Sequence, residues 1–330
     1  MKQVSYETEI PSFIKPYLET EEMQRLKGID MNCGMNYTSI PFFQNIEPYS
    51  RYTHSIGTAL IIYHFTKDKK QTLSGLFHDI ATPAFSHVID FLHGDALKQE
   101  STEDKTEEIL SASGEIRSIL AEDGIVLSEV SNYHLYPIAD NDSPLLSSDR
   151  LEYTFSASID YHSGNADQYQ SIYDDIAAGT NEAGCEELVF RHKDMAEAFA
   201  SAALKNGMVF SSKEDRCCMQ VLAELIKEAI RRNILQEKDL YTTEEKVIAQ
   251  LENSSMSSQW HHFQSIDHVM ISQEPKEGWI KIAAKKRYID PYCIETGERI
   301  SQSSLKIQQE IESFKNEQYQ EWMKGCSKDE

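Results

Sequence analysis

Two short stretches of this chain repeat the apolar spacing of one helix face, and each carries a histidine at its edge. His54 opens a segment in which Ile56, Ala59, Leu60 and Tyr63 follow an i, i+3, i+4, i+7 pattern. Leu73, Leu76, Phe77 and Ile80 repeat it in a second segment, about residues 70–80, interrupted by His78-Asp79 and followed by Pro83. Adjacent residues leave a helix about 100° apart. His78 and Asp79 therefore reach one point only if the helix end faces it. A third helix is expected to carry Phe85, Val88, Ile89 and Leu92. Asp149 follows a proline-containing loop, residues 132–147, and opens a later helix.

Composition supports a helical reading. Only 14 glycines and 9 prolines occur in 330 residues, and 40% of the residues are hydrophobic. A chain of this length buries a substantial core. Further helices are expected over about 21–29, 106–120, 185–205, 213–233 and 242–253, the last with a capping box of Thr242 and Glu245. A long amphipathic helix, about 303–323, carries Ile307, Ile311, Phe314 and Tyr319 as either core or an interface of a homo-oligomer. Residues 177–181 read as a turn. Residues 279–282 and 287–289 read as a small hairpin. The expected architecture is mostly α: a helical metal-binding catalytic region over 1–160, then a helical region over 161–330 with a small β element.

The net charge of -22 repels nucleic-acid backbones and anionic membranes, but a metal and a few local cations can invert the potential inside a cleft. No apolar run approaches the roughly 20 residues that span a bilayer. The N-terminus lacks an apolar signal core, and the six scattered cysteines contain no CxxC pair, so a soluble cytoplasmic protein with reduced thiols is expected.

His54, His78, Asp79 and Asp149 supply two imidazoles and two carboxylates. That donor set suits one divalent ion such as Mn, Fe, Zn, Co, Ni or Mg. It leaves positions for water and a phosphate oxygen, the requirement for metal-assisted phosphate-ester hydrolysis. Asp79 is a candidate catalytic residue, and candidates for acid–base work are His87, His93, Glu103 and His134. His134, between two tyrosines in the loop before Asp149, is a candidate substrate contact. So are Lys285 and Arg287, in the densest basic cluster of an acidic chain.

The flanks of these residues carry a family resemblance. Arg51-Tyr52-Thr53-His54-Ser55, Leu76-Phe77-His78-Asp79-Ile80, Phe85-Ser86-His87 and Asp149-Arg150-Leu151-Glu152-Tyr153 resemble the HD-domain phosphohydrolase superfamily, and within it the dGTPase-like triphosphohydrolases. The resemblance spans roughly residues 15–160. It implies an HD-type helical bundle with His54, His78, Asp79 and Asp149 as metal ligands. It further implies Arg51 on substrate phosphate or bracing the site, His87 lining the phosphate pocket, and Asn32 near a base-reading position. The implied substrate is a nucleotide or a related phosphate ester. The chain departs from that branch at two places. Thr82 stands where the branch carries the middle histidine of HDxGHxPFSH, and Thr102-Glu103 stands where it carries His-Glu. These losses favour, as the alternative, an HD-type nucleotide sensor with little or no turnover.

Overall fold

A computed structural model describes residues 4–94, 97 and 105–328. Short helices α1 (Lys15–Leu18) and α2 (Glu21–Arg25) lead through a winding loop into α3 (Arg51–Thr66) and α4 (Lys69–Phe77). Then come α5 (Val88–Leu92), α6 (Thr106–Ala112), α7 (Gly114–Asp123), α8 (Ser148–His162) and α9 (Ala166–Asp174). Strands β1 (Ile176–Thr180) and β2 (Glu186–Phe190) precede α10 (Lys193–Phe210), α11 (Lys213–Arg231), α12 (Glu244–Glu252) and α13 (Ser257–Ser265). The chain closes with β3 (His268–Ser272), β4 (Tyr292–Cys293), β5 (Glu298–Arg299), α14 (Ile300–Ser303), α15 (Leu305–Asn316) and β6 (Trp322–Cys326). The protein is mostly α with a small β component.

Helix ends are capped where the site needs them. Ser50 accepts a hydrogen bond from the Thr53 N–H at the start of α3, Asp68 from Gln71 at α4 and Ser147 from Arg150 at α8. Among the described residues, four apolar clusters form the core. One joins residues 33–91 to α11–α13 and β6; another joins Ile61, Leu151 and Phe155 to α10 and α15.

Several local expectations are corrected. The hairpin is not at 279–289: residues 281–290 have no regular structure, and Ile280 makes one isolated bridge to Met323. The strands lie elsewhere, in a four-stranded sheet ordered β1-β2-β4-β5 and a β3-β6 pair. The expected turn at 177–181 is an edge strand instead, with Gly179 facing Glu187. The C-terminal helix stops at Asn316, residues 317–321 have no regular structure, and β6 follows, because Met323 and Cys326 bury against β3 and α11 rather than continuing a helical face. The helix expected over 106–120 breaks at Ser113, whose side chain caps α7. The cap at α12 is Thr243, not Thr242. Ile307, Ile311 and Phe314 are core residues of the chain itself. No helix among the described residues is long and apolar enough to cross a membrane.

Candidate metal centre

Helix α3 presents His54 from its first turn, α4 ends at His78, and α8 presents Asp149 from its first turn. The two Nε2 atoms lie 3.1 Å apart. Asp149 Oδ1 lies 3.0 Å from His54 Nε2 and 3.6 Å from His78 Nε2. Asp79 Oδ2 sits 3.5 Å from His78 Nε2 and 3.8 Å from His54 Nε2. The four residues singled out from the sequence thus converge. Among the described residues, His54, His78 and Asp149 can each offer a ligand atom within 4.8 Å of the others. Asp79 is shared, because its Oδ2 also accepts from Arg51 Nη1 at 2.9 Å.

The outer nitrogens are already committed. His78 Nδ1 lies 2.6 Å from the Gly75 carbonyl, which can only accept, so Nδ1 carries the proton. His54 Nδ1 lies 2.5 Å from Glu152 Oε2 and donates to it. With Nε2 deprotonated, as metal ligation requires, both rings turn that nitrogen's lone pair toward the same spot as two carboxylates. Such an arrangement needs positive charge at its centre, and orienting partners of this kind are what metal-ligating histidines have. Proton binding shows the same demand. Burial opposes protonation of His54, but Glu152 and Asp149 outweigh it and push the imidazole up to about 10. His78 moves up too, burial being outweighed by Asp79 and Asp149. Burial likewise opposes ionisation of Asp79 and Asp149. Arg51 with the histidines, and the histidines alone, hold the two carboxyls below the usual range. The donors fit a divalent ion.

The surroundings hold these ligands in place. Thr82 Oγ1 donates to Asp79 Oδ1 at 2.8 Å, fixing the carboxylate that Arg51 grips from the other side. Arg51 Nε also reaches Ser86 Oγ at 3.2 Å, so the guanidinium braces the site. Phe85 and Ser86 both have left-handed backbone, with φ of 64° and 50°, which costs roughly 1–2 kcal/mol per residue. The Phe85 N–H donates to buried Glu244 at 3.2 Å, which secures this loop from α12. Arg150 holds the loop before Asp149 through Asn141 and through Asp140 at 3.2 Å. On the outer side, Glu152 Oε1 accepts from the Tyr49 hydroxyl and from Tyr6 at 3.4 Å. Gly57 makes room for it, since a Cβ there would meet Glu152 Cγ at 2.7 Å.

The remaining candidates fall at different distances from the chemistry. His87 is tied to Asp90 at 3.0 Å, and burial lowers its affinity for protons, with Arg287 and Arg51 adding to the effect against Asp90. The positive charge of Arg287, on the irregular 281–290 segment, also acts on Tyr153, Cys33 and Asp215. Gly207 lets that segment pack close: a Cβ there would come within 2.1 Å of the Arg287 carbonyl. Lys285 is half-buried on the same segment. The Asn32 amide is engaged at both ends, donating to Asp30 Oδ1 at 2.8 Å and accepting from the Tyr161 hydroxyl at 2.7 Å. His134 is exposed, pairs with Asp140 at 3.0 Å and stacks on Tyr133, whose ring packs 5.4 Å from that of His78. Glu103 lies outside the described residues.

Thr82, Glu152 and Glu244 were not anticipated as parts of the site. Glu152 had a signal, since it follows Asp149 by three residues and shares its helix face. Glu244 had none, being 165 residues from Asp79 in sequence.

No family model matches the chain. It is 25% identical over 244 residues to the protein YdhJ of Bacillus subtilis (strain 168), itself described as uncharacterized, covering 72% of this chain and 70% of that one. It is 28% identical over 166 residues to the metal-dependent phosphohydrolase cns2 of Cordyceps militaris, covering 49% of this chain but only 45% of the fungal protein. Among solved structures, a phosphohydrolase from Bacteroides thetaiotaomicron superposes with a TM-score of 0.60 at 14% identity, over 96% of each chain. A hypothetical protein from Aquifex aeolicus superposes with a TM-score of 0.56 at 19% identity, over 80% of this chain and 75% of its own. The first superposition shows a shared fold over nearly the whole chain, and the second over 80% of it.

Proposed function

We propose that the chain is an HD-type, metal-dependent phosphohydrolase that holds one divalent ion through His54, His78, Asp79 and Asp149 and acts on a nucleotide or a related phosphate ester. The observation that carries this reading is the convergence of two Nε2 lone pairs and two carboxylates, with both Nδ1–H groups spent on fixed acceptors. The partial likeness to a fungal metal-dependent phosphohydrolase supports it.

When bound, a divalent ion supplies Lewis-acid activation of water and offsets charge on the phosphoryl group. The protein's own residues do the rest. Arg51 fixes Asp79, and Arg287 brings a second guanidinium to the same region of an acidic molecule. His87 is held below the ordinary imidazole range, so it stays neutral near pH 7 and is able to take a proton. A nucleotide substrate is supported by an aromatic row that starts at Tyr153, one helical turn after Asp149. Tyr153 packs 6.3 Å from Phe210, Phe210 5.9 Å from Tyr161, and Tyr161 5.6 Å from Phe42. Such faces suit a planar base.

One observation favours a binding role without turnover: the Thr82 hydroxyl is spent on Asp79 and does not supply the acid or base of a histidine. Incubation of the Mn²⁺-loaded protein with nucleoside mono-, di- and triphosphates and cyclic nucleotides separates the readings. Release of phosphate, pyrophosphate or triphosphate that vanishes in Asp149→Asn supports hydrolysis and names the leaving group. Retained metal with no product from any phosphate ester supports the sensor.

A further inference from the structure

A cavity of about 480 Å³ lies behind the metal centre, between the outer faces of α3 and α8. None of the four converging donors lines it. Ile56, Leu60 and Ile159 give it an apolar floor, and Glu47 and Asp160 are among its other lining residues. The N-terminal segment roofs it, secured by Ser5 N–H on Gln170 at 2.8 Å and by the Tyr173 hydroxyl on the Tyr6 carbonyl at 2.9 Å. The volume is within the range of small-molecule sites, roughly 300–1,000 Å³.

The charge of its walls is one-sided. Four carboxylates line the cavity, Glu7, Glu47, Glu152 and Asp160, and no Lys, Arg or His does so among the described residues. Two of the four are spent: Glu7 pairs with Lys67 at 2.5 Å, and Glu152 holds His54. Glu47 and Asp160 have no hydrogen-bond or ion-pair partner among the described residues. Asp160 is pushed up to about 6, by burial first and then by Glu47, Asp30 and Glu152. Among the described residues, exposed Glu47 and half-buried Asp160 meet no counter-charge beside this apolar floor, which suits a ligand that is cationic at one end and apolar at the other.

We propose that this cavity is a second binding site, separate from the metal centre, for a protonated organic amine whose ammonium lies between Glu47 and Asp160 and whose apolar body rests on Ile56, Leu60 and Ile159. An anion of the same shape is excluded by the same carboxylates, and a neutral isostere loses the charge pairing. The site needs no turnover at the metal centre, so its test is independent of the hydrolase reading.

Calorimetric titration of the full chain with tryptamine, its alcohol analogue tryptophol and the anion indole-3-propionate tests this directly. Tryptamine is expected to bind one to one, tryptophol at least tenfold more weakly, and the anion not at all. Asp160→Asn is expected to bring tryptamine down to the level of tryptophol, and Leu60→Trp, which fills the floor, to abolish binding of both. Unfolding of each variant by heat checks that it is folded. Equal binding of the amine and the anion, no binding of tryptamine, or unchanged tryptamine affinity in folded Asp160→Asn or Leu60→Trp protein would overturn the proposal.

Discussion

His54 shows how much one residue's partners decide. Its Nε2 faces His78, Asp79 and Asp149 because Nδ1 donates to Glu152. Glu152→Gln keeps an acceptor but removes its charge. Metal affinity is expected to fall about 10- to 100-fold, as for other partners that orient ligating histidines. Titration with Mn²⁺ under chelator competition measures this, and unchanged affinity would show that Glu152 does not orient the ring. Asp79 behaves differently, because it also neutralises buried Arg51. Asp79→Ala should lose the metal and also about 3–5 kcal/mol of stability, the usual cost of stranding a buried charge; denaturant unfolding reads the second effect separately from the first. The four converging residues were legible because a His-Asp pair at a helix end and histidine and aspartate at two helix starts form a chemical pattern. Thr82 was legible only as a departure from a family motif. Its bond to Asp79 depends on the tight turn at 79–82, which the sequence does not display.

Elements bring distant sequence to the site. Glu244, at the start of α12, accepts from the backbone of Asp30 and Phe85 and from the Tyr37 hydroxyl, joining three loops. Burial, with Asp30 adding and the Tyr37 hydrogen bond opposing, raises its carboxyl from 4.5 to about 7. The folded state therefore holds this proton more tightly than the unfolded chain does. The resulting stability is complete below pH 4.5 and is lost as pH rises to about 7. The loss amounts to at most about 3 kcal/mol. Glu244→Gln should flatten stability across that window, which denaturant unfolding at pH 5 and pH 8 would detect. Gly207 on α10 gives a second case. Gly207→Ala must displace the backbone at Arg287, costing about 1–3 kcal/mol of stability by overpacking. It should raise KM for a phosphate ester while leaving metal affinity unchanged. The helices of the first half were readable because their apolar period is clear and Ser50, Asp68 and Ser147 cap them. The strands were not. β4 and β5 are two residues each, and β1 contains Ala-Ala-Gly, so neither offers an alternating pattern.

At the scale of the molecule, two apolar clusters mix residues from before and after position 160, and α8 itself runs from Ser148 to His162. Unfolding followed by circular dichroism and by tryptophan fluorescence should give coincident transitions, since Trp260 and Phe85 share one cluster with Leu222. Because acidic groups are in surplus, an anionic substrate of the kind proposed would need Arg51, Arg287 and a bound cation to offset the charge around the site. The central claim is that four side chains from three separated stretches hold one divalent ion. Its most direct test is metal stoichiometry by elemental analysis after loading with Mn²⁺ and gel filtration, for the natural chain and for Asp149→Ala. That variant strands no buried guanidinium. One ion per chain in the natural protein and none in the variant is the predicted result. No retained ion in the natural chain, or equal retention in both, would contradict the assignment.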